Sequence, residues 1–566
     1  MVDVEIPAST EGHFSPLARR LTSDGLLSRR TADAAFFLLV CAWPWIGLFG
    51  REPWKADEAY SFGLIWSVIQ GKGWIVPMLT GEPFLEKPPL FYWVAAACAD
   101  LFGGIVQAHD AARIAVALFL YVTLGFLAAA GNALLGGNRG ANAPVLLIGS
   151  VGLFDKVHIL IADVSLMSGL CIGFFGLATS QRRPIAGGIA LGLGAGVAFM
   201  SKGLIGLGIL AATATALAFI PSWRSRQRLR CLAIAAVVLT PAVLAWPLTL
   251  YLASPDLFGE WLWVNNLGRF FGFVRLGESH GLWFYPLTLL WLSFPLWPFA
   301  TAAGRAAWRG NERRHALLLP AVAFLVTMAA LMFASQSRAI YALPALLPLS
   351  LLAAAGLDHA PHWFVSGLQR ASLLLFPALV ALLWLAWLAV GLEIPWSVNV
   401  LARLEPGFSM PIQPLTVTIA GAGTALWWLA VRRRPMSAEN AVRAWTAGLT
   451  TFWLLIFTLW LPYLDYGMSY RSVAVALQQA LPRDESCVAS LALGESQRAM
   501  FGYYTGLVTR RLETDPDAKS CRWLLLQVTG HPPALPAYAN WSEVWRGARP
   551  GDDREKFHLY RATETD

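Results

Sequence analysis

Long apolar runs alternate with short polar loops along most of the chain, and this pattern predicts membrane-spanning helices. A helix needs roughly 17–25 mainly apolar residues to cross a bilayer. The predicted spans are 34–50, 113–135, 141–160, 164–180, 185–201, 204–221, 231–253, 284–303, 315–334, 340–357, 371–392, 414–431 and 441–463. We therefore expect an α-helical polytopic membrane protein with about thirteen transmembrane helices.

Basic residues are concentrated in short loops between these runs, as at 182–183, 224–230, 305–314 and 432–434. If the segment 88–104 lies on the membrane surface instead of crossing it, all these loops fall on the side of the basic N-terminal tail. The segment is short and starts with two prolines, which supports that interpretation. The positive-inside rule then predicts a cytoplasmic N-terminus and a C-terminus on the outer side.

The same topology places the polar loop 54–93 on the outer face. This loop carries several ionisable residues among aromatic ones, and its run 57–71 is amphipathic, which predicts a second interfacial helix. Other polar residues fall on that face as well: Asp163, Lys202, the loop 254–283 and the segment 335–338. Their convergence on one side predicts an external site.

Composition supports the membrane interpretation. Hydrophobic residues make up 56% of the 566 residues and charged residues 14%, against about 25% charged in soluble domains. The 26 tryptophans fit aromatic belts at the membrane interfaces. The net charge of +8 is explained by the basic loops, so we expect no nucleic-acid partner.

The composition changes near residue 465, and the remainder is polar. We predict a membrane domain at 1–464 and a small α/β domain at 465–566 on the outer face. Strands are expected at 487–493 and 523–528, with a helix near 495–504. Cys487 and Cys521 can pair if this region lies outside the cytoplasm.

Asp57 and Glu58 stand just outside the first span. Asp57 is open to three interpretations: general base, metal ligand or helix N-cap. Asp163 lies in a mostly apolar stretch, where an ionisable side chain is a functional hypothesis by default. Two acids from different outer loops could orient and activate one acceptor.

Glu86, Lys87 and two following prolines form the most distinctive motif. The prolines hold the backbone extended, and a lysine suits a phosphate oxygen, although a plain Glu–Lys surface pair is the alternative.

Arg269 could hold a phosphate with two hydrogen bonds, and Arg338 could hold a lipid headgroup. His280 with Glu86 is conceivable as a metal pair. The chain has no phosphate-binding glycine loop and no nucleophile elbow, so a lipid-linked phosphate substrate fits better than a soluble nucleotide.

Several motifs resemble one family. They are ADE at 56–58, FLEKPPLFYW at 84–93, SKG at 201–203, NNLGRF at 265–270 and SQSRAIYALPALLPL at 335–349. They look like bacterial aminoarabinose (4-amino-4-deoxy-L-arabinose) transferases, which belong with protein O-mannosyltransferases among the GT-C-fold, polyprenyl-phosphate-dependent glycosyltransferases. Asn266, where the family often has histidine, is a departure from the pattern.

The resemblance implies transfer of a sugar from undecaprenyl phosphate to a periplasmic acceptor such as lipid A, with inversion at the anomeric carbon, by an enzyme of the bacterial inner membrane. The loop 54–110 would then be the first periplasmic active-site loop. The resemblance implies catalysis by Asp57 and Asp163, phosphate binding by Lys87 and Arg269, metal contact by Glu86 and an active-site role for Tyr341. From the residues themselves we add Glu58 as a catalytic candidate and His280 as a second metal ligand. The further substrate-binding candidates are Glu86, Arg338, Tyr60 and Lys202. A divalent metal is the one cofactor expectation.

Other functions remain open at this point. A different sugar, or a protein or glycan acceptor, fits the same residues. A transporter of lipid-linked substrates would place its acids at the membrane midplane and show paired broken helices. A purely structural membrane protein would leave the charged loop 54–93 unexplained.

Overall fold

The computed structural model describes residues 16–274, 280–310, 314–432, 434–482, 487–530, 533–537 and 539–563. Its first helices are α1 (Pro16–Ala42), α2 (Asp57–Ile69), α3 (Leu90–Phe102), α4 (Ala108–Leu135), α5 (Asn142–Ile148), α6 (Phe154–Val157), α7 (Ala162–Thr179), α8 (Pro184–Lys202), α9 (Leu204–Ala218), α10 (Arg226–Ala253), α11 (Pro255–Gly259) and α12 (Arg269–Phe271). A π-helix, Glu260–Gly268, leads into α12.

The later helices are α13 (Phe284–Leu292), α14 (Leu296–Trp308), α15 (Arg314–Phe333), α16 (Leu343–Gly356), α17 (His362–Gly391), α18 (Pro395–Leu404), α19 (Pro414–Val431), α20 (Ala438–Leu459), α21 (Leu461–Met468), α22 (Arg471–Ala480) and α23 (Glu495–Thr505). The strands are β1 (Met78–Leu79), β2 (Glu82–Pro83), β3 (Val488–Leu491), β4 (Arg510–Arg511), β5 (Trp523–Thr529), β6 (Asn540–Ala548) and β7 (Glu555–Thr563).

Nine helices in the described residues are long and apolar enough to cross a membrane: α4, α7, α8, α10, α15, α16 with its flanking turns, α17, α19 and α20. A tenth span results if α13 and α14, which bend by 103° at their junction, count together. The polytopic helical fold is confirmed, with fewer full-length helices than the thirteen predicted spans.

Three predicted spans account for the difference. The segment 141–160 forms the short helices α5 and α6, because glycines at 149 and 152 interrupt it. The run 204–221 yields α9, which has only 15 residues. The run 34–50 ends its α-helix at Ala42, and α1 begins at Pro16, inside the predicted polar tail.

Small residues let α7 and α8 pack closely. A methyl group added to Gly194 would approach the backbone nitrogen of Gly173 to 2.4 Å, so no larger side chain fits there. Close approach of this kind stabilises helix pairs in a bilayer, where the surrounding lipid removes the hydrophobic driving force between helices. The packing holds Asp163, in the first turn of α7, next to Lys202 at the end of α8.

The juxtamembrane helix α2 is enclosed by protein. Ten of its 13 residues are buried, which differs from the predicted helix lying on the membrane with one face in lipid. The reason is α23, which covers it: a methyl group on Gly63 would meet the Ala499 side chain at 2.6 Å. The helix α3 has 13 residues, too few for an ordinary span, as expected for 88–104.

The C-terminal part contains a five-stranded mixed sheet in the order β4-β3-β5-β7-β6. β3 pairs in parallel with β4 and β5, and β7 pairs antiparallel with β5 and β6. The predicted strands and helix correspond to β3, β5 and α23, and Cys487 forms a disulfide with Cys521. The predicted domain boundary at 464/465 falls inside α21, so helical structure continues across it.

This C-terminal sheet domain rests on the loop 54–93. The Ser496 hydroxyl donates to the carbonyl of Ala56 at 2.8 Å, and Lys55 pairs with Glu555 at 2.7 Å. Arg498 and Arg511 both bind the Glu82 carboxylate, at 2.9 and 3.1 Å. The domain therefore forms one wall above the residues that the sequence singled out.

Candidate functional site

A cavity of about 630 Å³ lies between the loop 54–93 and the C-terminal sheet domain. Its lining contains five residues predicted from the sequence: Asp57, Tyr60, Glu86, Arg269 and Arg338. These come from α2, the loop before α3, α12 and the segment before α16, so residues 281 positions apart in the chain meet here. A cavity of this size with convergent charged groups is the expected form of a binding site for a small polar group.

A larger cavity of about 770 Å³ lies elsewhere, between Lys55 and the end of the sheet. Its described lining includes Arg549, Asp552 and Glu555, and none of the predicted site residues. We therefore assign the candidate site to the smaller cavity, where the predicted residues converge.

Asp57 and Arg338 form a two-pronged ion pair at the edge of this cavity. Both guanidinium nitrogens donate to the carboxylate, Nη1 to Oδ1 at 3.0 Å. Burial raises the pKa of Asp57, but the hydrogen bond from Arg338 and the charges of Lys87 and Lys202 lower it by more. Asp57 is therefore ionised near neutral pH, as a group must be to accept a proton or steady a positive charge.

Glu86 and Arg269 form a second pair. Arg269 Nη1 donates to Glu86 Oε1 at 2.8 Å, and its Nε donates to the side-chain oxygen of Gln336 at 2.8 Å. Burial raises the pKa of Glu86, while the charges of Lys87 and Arg269 lower it below the ordinary value. Arg269 is thus held with a defined guanidinium plane, which suits a phosphate oxygen.

Lys87 lies between the two pairs. Its ammonium donates to the Tyr60 hydroxyl at 2.7 Å and lies 5.1 Å from the centre of that ring. Burial lowers the pKa of Lys87, but the surrounding Tyr92, Glu86 and Asp163 raise it above the usual value. Among the described residues Lys87 makes no direct ion pair with a carboxylate, so it is a cation whose charge can hold an anion.

The remaining predicted residues form a deeper layer. Asp163 binds Lys202 at 3.0 Å, and the Lys202 ammonium lies 5.0 Å from the centre of the Tyr341 ring. The Arg338 guanidinium carbon lies 5.9 Å from the centre of the same ring. Both Asp163 and Lys202 influence the charged groups of the cavity, since Lys202 lowers the pKa of Asp57 and Asp163 raises that of Lys87.

Glu58 has a different position from its neighbour Asp57. Its carboxylate is fully buried and binds Arg51, Arg113 Nε at 2.9 Å and the amide of Leu160 at 3.3 Å. Burial raises the pKa of Glu58, but Arg113 and Arg51 outweigh it and bring it to about 2. Because every lone-pair direction is occupied, this geometry favours a structural role instead of the predicted catalytic one.

We call Glu58, Arg51, Arg113 and Asp110 the buried brace. Arg113 Nη1 also donates to Asp110 Oδ1 at 2.7 Å and to the Arg51 carbonyl at 2.8 Å. These bonds tie the loop after α1, the start of α2 and the start of α4 together. The brace therefore fixes the backbone from which Asp57 projects.

The predicted metal pair is not supported by the donor set. Glu86 binds Arg269, and the His280 ring stacks on Phe284 with centres 4.4 Å apart. In the described ranges no group of three or more histidine, cysteine, aspartate or glutamate side chains could hold a metal ion. A divalent metal at Glu86 and His280 stays an untested prediction, and we derive no step through it.

Four charged or amide side chains of the cavity were not among the predicted site residues: Gln336, Glu495, Arg498 and Arg511. The last three belong to the C-terminal sheet domain, more than 400 residues from the loop they face. The sequence carries no signal for this contact, since only docking of the domain creates it. Gln336 was detectable in principle, because it lies between Ser335 and Arg338 in a quoted motif.

Comparisons with known proteins agree with this geometry. Residues 86–247 match the family model described as dolichyl-phosphate-mannose-protein mannosyltransferase. The undecaprenyl phosphate-α-4-amino-4-deoxy-L-arabinose arabinosyl transferase of Pseudomonas paraeruginosa is 30% identical over 437 residues, 73% of each chain. The chain belongs to this arabinosyl transferase family. The enzyme of the same name from Pseudomonas aeruginosa strain UCBPP-PA14 is 28% identical over 76% of each chain.

The solved structures agree on the fold. The crystal structure of ArnT from Cupriavidus metallidurans bound to undecaprenyl phosphate matches with a TM-score of 0.67 at 16% identity, over 95% of this chain and 98% of that one. The GT-C fold and the family inferred from the sequence motifs are thereby confirmed. Family membership also favours an enzyme over the transporter and structural alternatives.

Proposed function

We propose that this arabinosyl transferase family member moves 4-amino-4-deoxy-L-arabinose from undecaprenyl phosphate to lipid A on the periplasmic side of the inner membrane. It is a membrane glycosyltransferase that uses a polyprenyl-phosphate sugar. The observation that carries the proposal is the cavity, which brings the ionised Asp57 together with Arg269 and Arg338. Lys87 lies directly behind this lining, where it donates to the Tyr60 hydroxyl.

Different cavity residues act on the two sides of the bond that is broken. In the transfer, the bond between the anomeric carbon and the donor phosphate breaks, and a bond from that carbon to the acceptor oxygen forms. The leaving group is the lipid phosphate, whose negative charge Lys87, Arg269 and Arg338 would hold. Attack from the face opposite the phosphate gives inversion.

Asp57 acts on the other side of the bond. A phosphate of lipid A is largely ionised near neutral pH, since its second pKa is about 6, and it needs no general base. Asp57 then orients the acceptor and steadies positive charge that develops on the sugar ring. With a hydroxyl acceptor, Asp57 would instead take the proton as the new bond forms.

Two observations support the periplasmic orientation. The disulfide between Cys487 and Cys521 belongs to an oxidising compartment, and it lies in the domain that covers the cavity. The basic loops at 182–183 and 224–230 lie at the opposite ends of α7, α8 and α10 from Asp163 and Lys202, as the positive-inside rule requires.

The test is transfer in proteoliposomes that contain undecaprenyl-phosphate aminoarabinose and lipid A. We expect wild-type protein to form aminoarabinose-modified lipid A, and Asp57→Asn to lower kcat by about 10²–10⁴-fold. The matched control is Asp100→Asn, which alters an exposed carboxylate on α3 and should keep full activity. If folded Asp57→Asn protein kept the wild-type kcat, Asp57 would not be catalytic. If wild-type protein transferred no aminoarabinose, the proposed function would be wrong.

A further inference from the structure

One carboxylate in the cavity wall is not engaged by an arginine. Asp57 binds Arg338 and Glu86 binds Arg269, whereas Glu495 makes no hydrogen bond or ion pair within the described part of the chain. It begins α23 and lines the same cavity from the side of the C-terminal sheet domain. A carboxylate in such a position is stabilised when a ligand supplies the missing cation.

The position of Glu495 is well defined by its neighbours. The amide of Gly494 donates to the Gln527 side chain at 2.7 Å, and the hydroxyl of Ser496 donates to the Ala56 carbonyl at 2.8 Å. The second bond anchors α23 to the residue directly before Asp57. These bonds fix the backbone of Glu495 beside the segment that carries Asp57, and its side chain lines the cavity.

The Glu495 side chain is exposed within the open cavity, where a ligand can reach it. Partial burial and the negative charge of Glu86 raise its pKa against the lowering effect of Arg498 and Arg511, so an added cation would stabilise its charged form. A helix N-terminus favours an acidic residue at this position, which explains the residue type. The helix N-terminus does not itself pair with the side-chain carboxylate of Glu495, which faces the cavity.

We propose that Glu495 binds the 4-ammonium group of the transferred sugar and so selects an amino sugar over its hydroxyl analogue. This inference rests on the proposed function. In a six-membered sugar ring, carbon 4 lies opposite carbon 1, so the ammonium points away from the leaving phosphate. The phosphate-holding residues come from the membrane part, while Glu495 comes from the C-terminal sheet domain. One acid and the separate cations thus fit the two ends of one aminosugar phosphate.

The experiment compares two donors in proteoliposomes: undecaprenyl phosphate carrying 4-amino-4-deoxy-L-arabinose, and undecaprenyl phosphate carrying L-arabinose. Glu495→Gln should lower kcat/KM for the amino donor by about 10- to 100-fold, the usual effect of losing one charged hydrogen bond. Transfer from the hydroxyl donor should stay unchanged, so the wild-type preference for the amino donor disappears. Glu495→Asp should keep part of that preference because it keeps the charge.

The matched control is Asp517→Asn, which removes a negative charge from the exposed surface of the same domain. It should leave both donors unaffected. A folded Glu495→Gln protein that keeps the wild-type preference would overturn the inference. An equal loss with both donors would overturn it as well, because it would show that Glu495 does not act on the 4-ammonium group. Wild-type protein that transfers neither sugar would overturn the proposed function itself, which distinguishes the two failures.

Discussion

The buried brace and the candidate cavity contain the same chemical groups but use them differently. Asp57 and Glu58 are adjacent in sequence, and each binds arginine. The two partners of Glu58 are fully buried, whereas the side chain of Arg338, the partner of Asp57, is 47% exposed. A closed network holds the fold, and an open pair can exchange one partner for a substrate.

The difference arises from which side of α2 each acid occupies. Glu58 faces the interior, where it is buried against Arg51 of the loop after α1, Arg113 of α4 and the backbone of Leu160. Asp57 faces the cavity below the C-terminal sheet domain. Removing one partner from a buried ion pair leaves an uncompensated charge, so the cost falls on stability. Removing one partner from the open Asp57–Arg338 pair mainly affects substrate binding and turnover.

The largest expected effect is on the brace. Glu58→Gln leaves Arg51 buried without its carboxylate partner and leaves Arg113 with Asp110 alone, so we expect the free energy of unfolding to fall by about 3–5 kcal/mol. Thermal unfolding in detergent measures this loss. Glu439→Gln, which alters an exposed glutamate in the first turn of α20, is the control and should leave the melting temperature almost unchanged.

The same variant gives the pH dependence of the brace. The pKa of Glu58 is about 2 in the folded protein against 4.5 normally, a depressed value. Its contribution to stability is therefore complete above pH 4.5 and is lost as the pH falls towards 2. The stability difference between wild type and Glu58→Gln should shrink in that window. A difference that stays constant down to pH 3 would contradict the buried ion pair.

An intermediate effect is expected in the cavity, on binding instead of folding. Arg269→Ala removes a phosphate-holding cation, so we expect KM for the lipid-linked donor to rise by about 10- to 100-fold. The melting temperature should fall by less than it does for Glu58→Gln, because the Arg269–Glu86 pair borders the open cavity with its side chains 19% and 26% exposed. Arg510→Ala, at an exposed site on the C-terminal sheet domain, is the control. An unchanged KM would remove Arg269 from the donor site.

The smallest effect is expected at an exposed ion pair that serves neither region. Arg139 and Asp358 lie 3.0 Å apart with side chains 45% and 55% exposed. Surface pairs are weak because water and salt screen them, so Arg139→Ala should cost less than about 1 kcal/mol. Thermal unfolding at low and high salt provides the measurement. If Arg139→Ala lowered the free energy of unfolding as much as Glu58→Gln does, burial would not be what determines how much an ion pair stabilises this protein.

Local signals in the sequence determined much of this protein. The apolar runs fixed the helical membrane class, and turn glycines explain the broken segment 141–160. The EKPP motif and its neighbours identified the family and located Asp57, Lys87, Arg269 and Arg338 as a group. Such signals are readable because hydrophobicity and special backbone residues act within one element.

Only the tertiary structure separated Asp57 from Glu58, because the sequence does not say which acid α2 turns towards the interior. Likewise only docking of the C-terminal sheet domain brought Glu495 to the cavity, through bonds such as the one from Ser496 to Ala56. Pairings across more than 400 residues depend on how whole elements pack. No local pattern of apolar and polar positions encodes them.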